Sequence, residues 1–460
     1  MIRATRAGGR RRRILAAAAI GVTIAAAMTA CSSSSSGGST GGSNSGSKTV
    51  TQADITAALQ QKSTITVWAW APQVTDIVKQ FEQQYPNVTV NLVNAGTATD
   101  EYTKLQNAIK AGSGVPDVAQ IEYYALPQFS LTNSLAPLSD VGLGDLKSDY
   151  SQAVWDAISP GGVAQALPQD TGPMALFYNK KIFDKYGLTV PATWDDYLAD
   201  AKKLHQADPK EYITNDAGDP GFVTSMIWDA GGQPFKVNGT NVTINFNDAG
   251  TQKFTALWNQ MLQGDLLSPI SSWSDQWYTG LGNGTIATLI TGAWMPGNLE
   301  SGVKGGSGDW QVAPMPVWTA GGPAATAENG GSADAVMKAS NNKLVAAGFL
   351  QFMNQGAGAT LFANEGGFPS ETSVLQSSDF TSQAPDYFAG QTINQVLSAS
   401  AASVLPGWSY LPFQVYANSI FPDTVGKAYA NKSDLNAALQ AWQSALVTYG
   451  QQQGFTVATS

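Results

Sequence analysis

The residue whose setting points most directly to chemistry is Cys31, the chain's single cysteine. Ahead of it lie a positive segment with Arg3, Arg6 and Arg10 to Arg13, an alanine-rich apolar run from Ile14 to Met28, and the small residue Ala30. A charged head, a short apolar stretch and a small residue at the cut have the layout of an export signal over residues 1–30, and the run is too short for a permanent span. Cleavage there would leave one thiol at the new N-terminus, the acceptor that a diacylglycerol thioether needs, so Cys31 reads as a lipidation site. With a single cysteine, no intramolecular disulfide can form, although export leads to an oxidising place. Ser32 to Ser47 are nearly all Ser and Gly and read as a flexible leash. The linker is taken to extend to residue 62.

The rest of the chain lacks most of the common reactive groups. All six arginines precede Ile14, so no planar fork is left to grip phosphate or a dicarboxylate. The one histidine, His205, lies in a Lys-rich helical stretch and reads as a surface residue, which removes a Ser–His–Asp triad and a His-rich metal site. Beyond Cys31 there are 19 lysines against 34 acids, a balance of −15 that argues against nucleic acid as a partner. No EF-hand loop is visible, though Asp and Asn oxygens leave a calcium ion open; no cofactor is expected. What remains is 13 Trp, 15 Tyr, many amides and a few acids. Aromatic faces and neutral hydrogen-bonding groups suit neutral polyols, whose C–H patches stack and whose hydroxyls bond.

These groups must be positioned by elements that the hydrophobic periodicity predicts. Ile65 to Trp70 reads as a strand, residues 75–85 as a helix with Ile77, Val78 and Phe81 on its apolar face, and Val88 to Val93 as a second strand. A helix from Asp100 to Ala111 and a strand from Asp117 to Ile121 follow. The β-α-β-α-β order predicts a parallel sheet covered by helices, with ligand outside the carboxyl ends of the strands. Those ends carry Trp68 and Trp70, then Asn94 and Gly96, then Glu122, Tyr123 and Tyr124. Further on, Met174 to Tyr178, residues 285–289, residues 310–315 and the segment after Gly330-Gly-Ser read as strands. Helices are predicted from a capping box at Thr193, over 251–263, over 342–354 and from Ser433 to about Tyr449.

Several segments in order resemble a known family. They are Ile65 to Trp70, Phe81-Glu-Gln-Gln-Tyr-Pro, Ala111-Gly-Ser-Gly-Val-Pro-Asp-Val-Ala-Gln-Ile-Glu-Tyr, Pro168-Gln-Asp-Thr-Gly-Pro, Leu176-Phe-Tyr-Asn-Lys, Pro191-Ala-Thr-Trp-Asp-Asp-Tyr, Gly292-Ala-Trp, Gly330-Gly-Ser and Gln451-Gln-Gln-Gly-Phe. Together they resemble an extracellular solute-binding protein of an ABC sugar importer, of the maltose-binding-protein-like kind found as actinobacterial lipoproteins. The Ala30-Cys31 junction similarly resembles a bacterial lipobox, with Met28 in place of the usual Leu, and the Arg run also permits a twin-arginine route.

The resemblance implies an α/β fold with two lobes, each a sheet flanked by helices, and a ligand cleft at the hinge. Lobe one is placed at 63–125 and 320–375, lobe two at 126–319 and 376–460. By the resemblance Glu122 and Asp170 hydrogen-bond sugar hydroxyls and Trp294 stacks on a ring. Trp68, Asn94, Ser332, Trp228 and Trp408 join them by position, and Trp70 and Tyr123 by their place at strand ends. Core packing is the competing role for each Trp, and a turn for Asp170 ahead of Thr-Gly-Pro. The implied partners are a neutral mono- or oligosaccharide and ABC permease subunits. The implied place is the outer face of the cell membrane, lipid-anchored and monomeric. Two rival readings are a cell-surface glycosidase working through paired carboxylates and a binding protein for a non-sugar solute.

Overall fold

Alternating apolar residues build strands β1 (Ser63–Trp68), β2 (Val88–Val93) and β3 (Val118–Glu122) in the computed structural model, which describes residues 49–460. The expected export signal, Cys31 and the leash as far as residue 48 lie outside the described residues. β1 pairs in parallel with both β2 and β3, as the β-α-β-α-β order requires. The crossover helices are Val74–Gln84 and Thr99–Ala111. The first buries Val74, Ile77, Val78 and Phe81, a stripe at helical spacing. The second stops at Gly112, whose φ of +66° suits a residue without a Cβ.

The sheet is not wholly parallel, as the sequence pattern had implied. Its order is β2, β1, β3, then Ser332–Val336, then β4 (Leu167–Asp170). Ser332–Val336 runs antiparallel to both β3 and β4. That strand arrives after a long excursion through the other lobe, so no local right-handed crossover sets its direction. The second lobe is centred on β5 (Met174–Asn179), buried along its whole length. Thr288–Gly292 and Trp310–Ala313 pair antiparallel to its two edges. Helices Trp194–Ala207, Pro220–Asp229, Ala249–Gln263 and Leu435–Gln452 pack in the same lobe around Trp258, Phe246 and Trp442, all three fully buried. The capping box at Thr193 forms: its hydroxyl accepts from the Asp196 N–H at 3.1 Å, and the Asp196 carboxylate accepts from the Thr193 N–H at 2.9 Å.

Four expected boundaries move. The linker does not run to residue 62, because Gln52–Leu59 is a helix with its own capping box at Thr51. Its buried Ile55 and Leu59, one turn apart, join the core of the first lobe, and Leu59 lies against Gly348. The chain also stays in the first lobe after residue 125. One continuous core takes in Leu126, Phe129, Trp155 and Leu167 along with Ala333 to Phe362. The passage to the second lobe therefore falls after Asp170. Residues 320–327 belong with the second lobe, where Met174 donates to the Ala327 carbonyl at 2.9 Å. Beyond residue 364, Phe368, Val374 and Leu375 pack with the second lobe as well. The helix at 126–131 gave no composition shift to mark it as part of the first core.

Burial of acids in this fold makes stability depend on pH in an unusual direction. Asp334 is fully buried. One of its oxygens accepts from Asn354 Nδ2 at 3.0 Å, and the other has no partner among the described residues. Burial pushes its pKa up to about 8, against an unfolded value near ~3.9. The folded state thus keeps a proton that the unfolded chain gives up. Stability from this group is complete below about pH 4 and is lost as pH rises through its folded value. The melting temperature should fall by several degrees between about pH 5 and pH 8.5, and Asp334→Asn should flatten that slope. Calorimetry across the range checks this; a melting temperature that climbs toward pH 8.5 would contradict it.

Candidate binding site between the lobes

Three stretches of backbone carry the chain between the lobes, and they are bonded to one another. Asp170 bridges Pro369, and Pro173 bridges Glu328. The Asn329 N–H donates to the Gly172 carbonyl at 2.7 Å, and the Thr171 N–H to the Phe368 carbonyl at 3.2 Å. In front of this junction lies a cavity of about 1170 Å³ with walls from both lobes. It opens at the carboxyl ends of β1 and β3, where the topology places ligands in open α/β sheets.

On the first-lobe wall, Glu122 ends β3. Its Oε2 accepts from the Tyr102 hydroxyl at 3.0 Å, and its own N–H donates to the Tyr102 oxygen at 2.9 Å. Burial pushes the Glu122 carboxyl up to about 7, against hydrogen bonds from Tyr124 and Tyr102 that favour the charged form. The Tyr102 ring stands edge-on to Trp70 at 6.3 Å and to Tyr124 at 6.2 Å, so one phenol organises an aromatic wall and its acid. Gln120, buried two residues earlier on the same strand face, has its Oε1 accepting from the N–H groups of Trp70 and Ala71 at 3.0 and 3.2 Å. It therefore holds the peptide that carries Trp70 past the end of β1.

At the junction, the Asp170 carboxylate accepts from both the hydroxyl and the N–H of Ser332, the latter at 2.7 Å. Burial raises the Asp170 pKa while these two bonds oppose the rise. The Gln120 amide donates to Ser332 Oγ at 3.0 Å and to Gln169 Oε1 at 2.9 Å, closing a network behind the cleft. On the second-lobe wall, Trp294 donates its indole N–H to the Asn329 carbonyl at 2.6 Å. Trp273 stacks near it, with ring centroids 5.7 Å apart. Trp273 is 52% exposed and its backbone has φ of +68°, an uncommon and strained state for a bulky residue. Asp219 caps the helix Pro220–Asp229 by accepting from the Phe222 N–H at 2.7 Å, and it too faces the cavity. Among the lining residues there is no lysine or histidine. Among the described residues, no group of three or more His, Cys, Asp or Glu is placed to hold a metal ion.

Of the residues expected from the sequence, Trp70, Glu122, Asp170, Trp294 and Ser332 line the cavity. Five others do not. Trp68 is the last residue of β1 and packs half-buried against the first-lobe core, because the strand ends before Trp70 and the two do not share a role. Asn94 is exposed, and its Oδ1 accepts from the Gly96 N–H at 3.0 Å in a local turn. Tyr123 points away from Glu122 by strand alternation; it is buried and its hydroxyl donates to the Asp170 carbonyl at 2.8 Å. Trp228 and Trp408 stack on each other at 5.0 Å within the second-lobe core, where Trp228 donates to the Leu405 carbonyl at 2.7 Å. His205, read as a surface residue, is partly buried beside Tyr212. Sequence reasoning missed Trp273, Gln120, Asp219 and Asn329. The Ser-rich loop around Trp273 carries no periodicity, and only the sheet register brings Gln120 beside Ser332.

The pattern of the bacterial extracellular solute-binding proteins matches residues 69–359, and the chain belongs to that family. It is 24% identical over 375 residues to the lactose-binding protein of Rhizobium radiobacter, covering 76% of this chain and 86% of that one. Among solved structures it is similar to the ABC transporter associated binding protein from B. animalis subsp. lactis Bl-04 in complex with β-1,6-galactobiose. That match has 44% identity and a TM-score of 0.77 over 86% of this chain and 100% of the other. It is also similar to the galacto-N-biose-/lacto-N-biose I-binding protein of the ABC transporter from Bifidobacterium longum in complex with lacto-N-biose. There the identity is 26% and the TM-score 0.74, over 86% of this chain and 98% of that one. The two-lobed α/β fold expected from the sequence is the fold of these proteins.

The hydrogen bond from Tyr102 favours ionised Glu122, so removing it has a definite sign. Tyr102→Phe should move the Glu122 titration upward from about 7. Carbon-13 NMR of labelled glutamate follows the shift directly. An unchanged or lower value would mean that the phenol does not hold the carboxylate.

Proposed function

We propose that this protein is the receptor of an ABC importer, capturing a neutral galactosyl disaccharide between its lobes and presenting it to the permease. The observation that carries this reading is the composition of the cleft. Trp70, Trp273 and Trp294 offer ring faces, Asn329 and Ser332 offer neutral hydrogen-bonding groups, and Glu122 and Asp170 offer acceptors. No cation is among the lining residues to attract an anionic ligand. Aromatic faces take the C–H side of a pyranose, and carboxylates take its hydroxyls in charge-assisted bonds. A cavity of about 1170 Å³ has room for a disaccharide. The ligands named for the three relatives are lactose, β-1,6-galactobiose and lacto-N-biose, and each contains galactose. Binding without turnover is the role this arrangement supports. The family description places such proteins outside the cell, and a lipid at Cys31 would keep the receptor beside its permease; Cys31 lies outside the described residues.

Titration with β-1,6-galactobiose should quench or shift tryptophan fluorescence and saturate, because Trp70, Trp273, Trp277 and Trp294 line the cavity. Trp273→Ala should weaken the affinity about fivefold, the order of one stacked ring. The matching digalacturonate should bind far more weakly, since its carboxylates would face Glu122, Asp170 and Asp219 with no counter-charge. No saturable response across a panel of neutral sugars would overturn the reading, and release of reducing sugar would turn it toward a glycosidase. Cys31→Ala should release the protein into the medium; continued attachment to the cell would remove the tether from the proposal.

A further inference from the structure

The indole of Trp294 does two things at once. Its ring lines the cavity, and its N–H is bonded at 2.6 Å to the carbonyl of Asn329 within a crossing segment. The surroundings of that bond are built from glycine backbone. A Cβ on Gly292 would come within 2.4 Å of both the Trp294 Nε1 and the Asn329 oxygen, and one on Gly330 within 2.8 Å of Nε1. Any larger residue at either place would push the ring off the carbonyl. Gly330 also has φ of +89°, which lets the chain turn directly beneath the ring. Backbone pressed this close to the bond fixes the indole against the part-buried Asn329 carbonyl, so breaking the bond takes from that carbonyl its side-chain donor.

From Asn329 the contacts run outward to another crossing segment and into the second lobe. Its N–H donates to the Gly172 carbonyl at 2.7 Å, on the first crossing segment. Its side chain bonds Thr291 Oγ1 and Ser225 Oγ, both at 3.3 Å, on the second lobe. Ser225 Oγ in turn donates to the Glu328 carbonyl at 2.7 Å. The Glu328 carboxylate accepts from Thr171 Oγ1 at 2.6 Å and from the Gly172 N–H. A Cβ on Gly172 would come within 2.3 Å of the Asn329 oxygen, so the two crossing segments touch at the very atom that Trp294 holds. Movement of the ring is therefore transmitted to the hinge peptide through one short bond and no flexible side chain.

We infer that Trp294 is a positioning residue for cleft closure: its N–H locks the Asn329 peptide, so that ligand packed on the ring also sets the angle between the crossing segments. The inference rests on the sugar-receptor reading for its ligand but not for its hinge contact. Two variants separate the ring from the bond. W294F keeps an aromatic face and loses the donor. Site-specific replacement of Trp294 by 3-benzothienylalanine keeps the bicyclic shape and exchanges N–H for sulfur.

In the full chain without sugar, hydrogen exchange of a peptide spanning residues 327–332 should speed up at least tenfold in both variants. Exchange in β5 should stay unchanged. With β-1,6-galactobiose, affinity should fall about tenfold, and small-angle scattering should show less compaction at saturation than in the wild type. Unaltered exchange at residues 327–332 together with wild-type compaction in the benzothienyl protein would overturn the inference, as would equal acceleration in β5, which marks general loosening. Failure of the wild type to bind the sugar would sink the ligand reading alone, because the exchange measurement needs no sugar.

Discussion

The two lobes are held in register by a bonded junction that, among the described residues, contains no ion pair. Glu328 is buried there, and its carboxylate is satisfied by the Thr171 hydroxyl and the Gly172 N–H. Burial pushes it up to about 7, and its neighbour Asp170 adds repulsion. An acid in such a place must be hydrogen-bonded or protonated, since the cost of burying it bare exceeds what a small junction can return. Every bond it makes ties one crossing segment to another. The polypeptide can pass three times between separately cored lobes because these short polar contacts, and not a shared apolar core, define the crossing. A junction of this kind keeps its backbone paired while leaving the lobes free to rotate about it, which is the general means by which cleft proteins close on ligands.

The same shortage of positive charge shapes the cleft. Glu122, Asp170 and Asp219 all have raised pKa values with burial as the first cause. No cation among the lining residues offsets them. Glu122, pushed up to about 7, can offer either a donor or an acceptor to a hydroxyl, while the remaining negative field would reject an acidic ligand. The absence of arginine beyond residue 13 is thus expressed in the site as well as in the composition.

The tryptophans show how one residue type is divided between roles. Trp228 and Trp408 stack face to face in the core at an interplanar angle of 5°, where each covers the other's apolar surface. Trp273 and Trp294 stack at 29° at the edge of the cavity, with Trp273 left 52% exposed on a strained backbone. An exposed, strained aromatic ring is kept only where something else gains from it, whereas a buried pair needs no such explanation. Nothing in the local sequence around these four residues separates the two pairs.

By itself the sequence determined what depends on local spacing. Periodicity marked β2 at its observed ends and the other elements of the β-α-β-α-β run within about two residues, along with the capping box at Thr193 and the parallel course of β1, β2 and β3. Composition determined the chemistry of the ligand surface, and strand ends placed Trp70 and Glu122 beside the cleft, because alternation and topology follow from short-range order. The tertiary structure decided where the chain changes lobes, since a crossing is set by which core a segment buries against, and residues 126–170 are as apolar as either lobe would accept. It decided the antiparallel course of Ser332–Val336, which depends on a strand more than 200 residues from its partner Val118–Glu122. It alone decided that Trp294 meets Asn329 and that Gln120 steadies Trp70, because contacts between distant segments are fixed by packing in three dimensions and leave no trace in the spacing of residues along the chain.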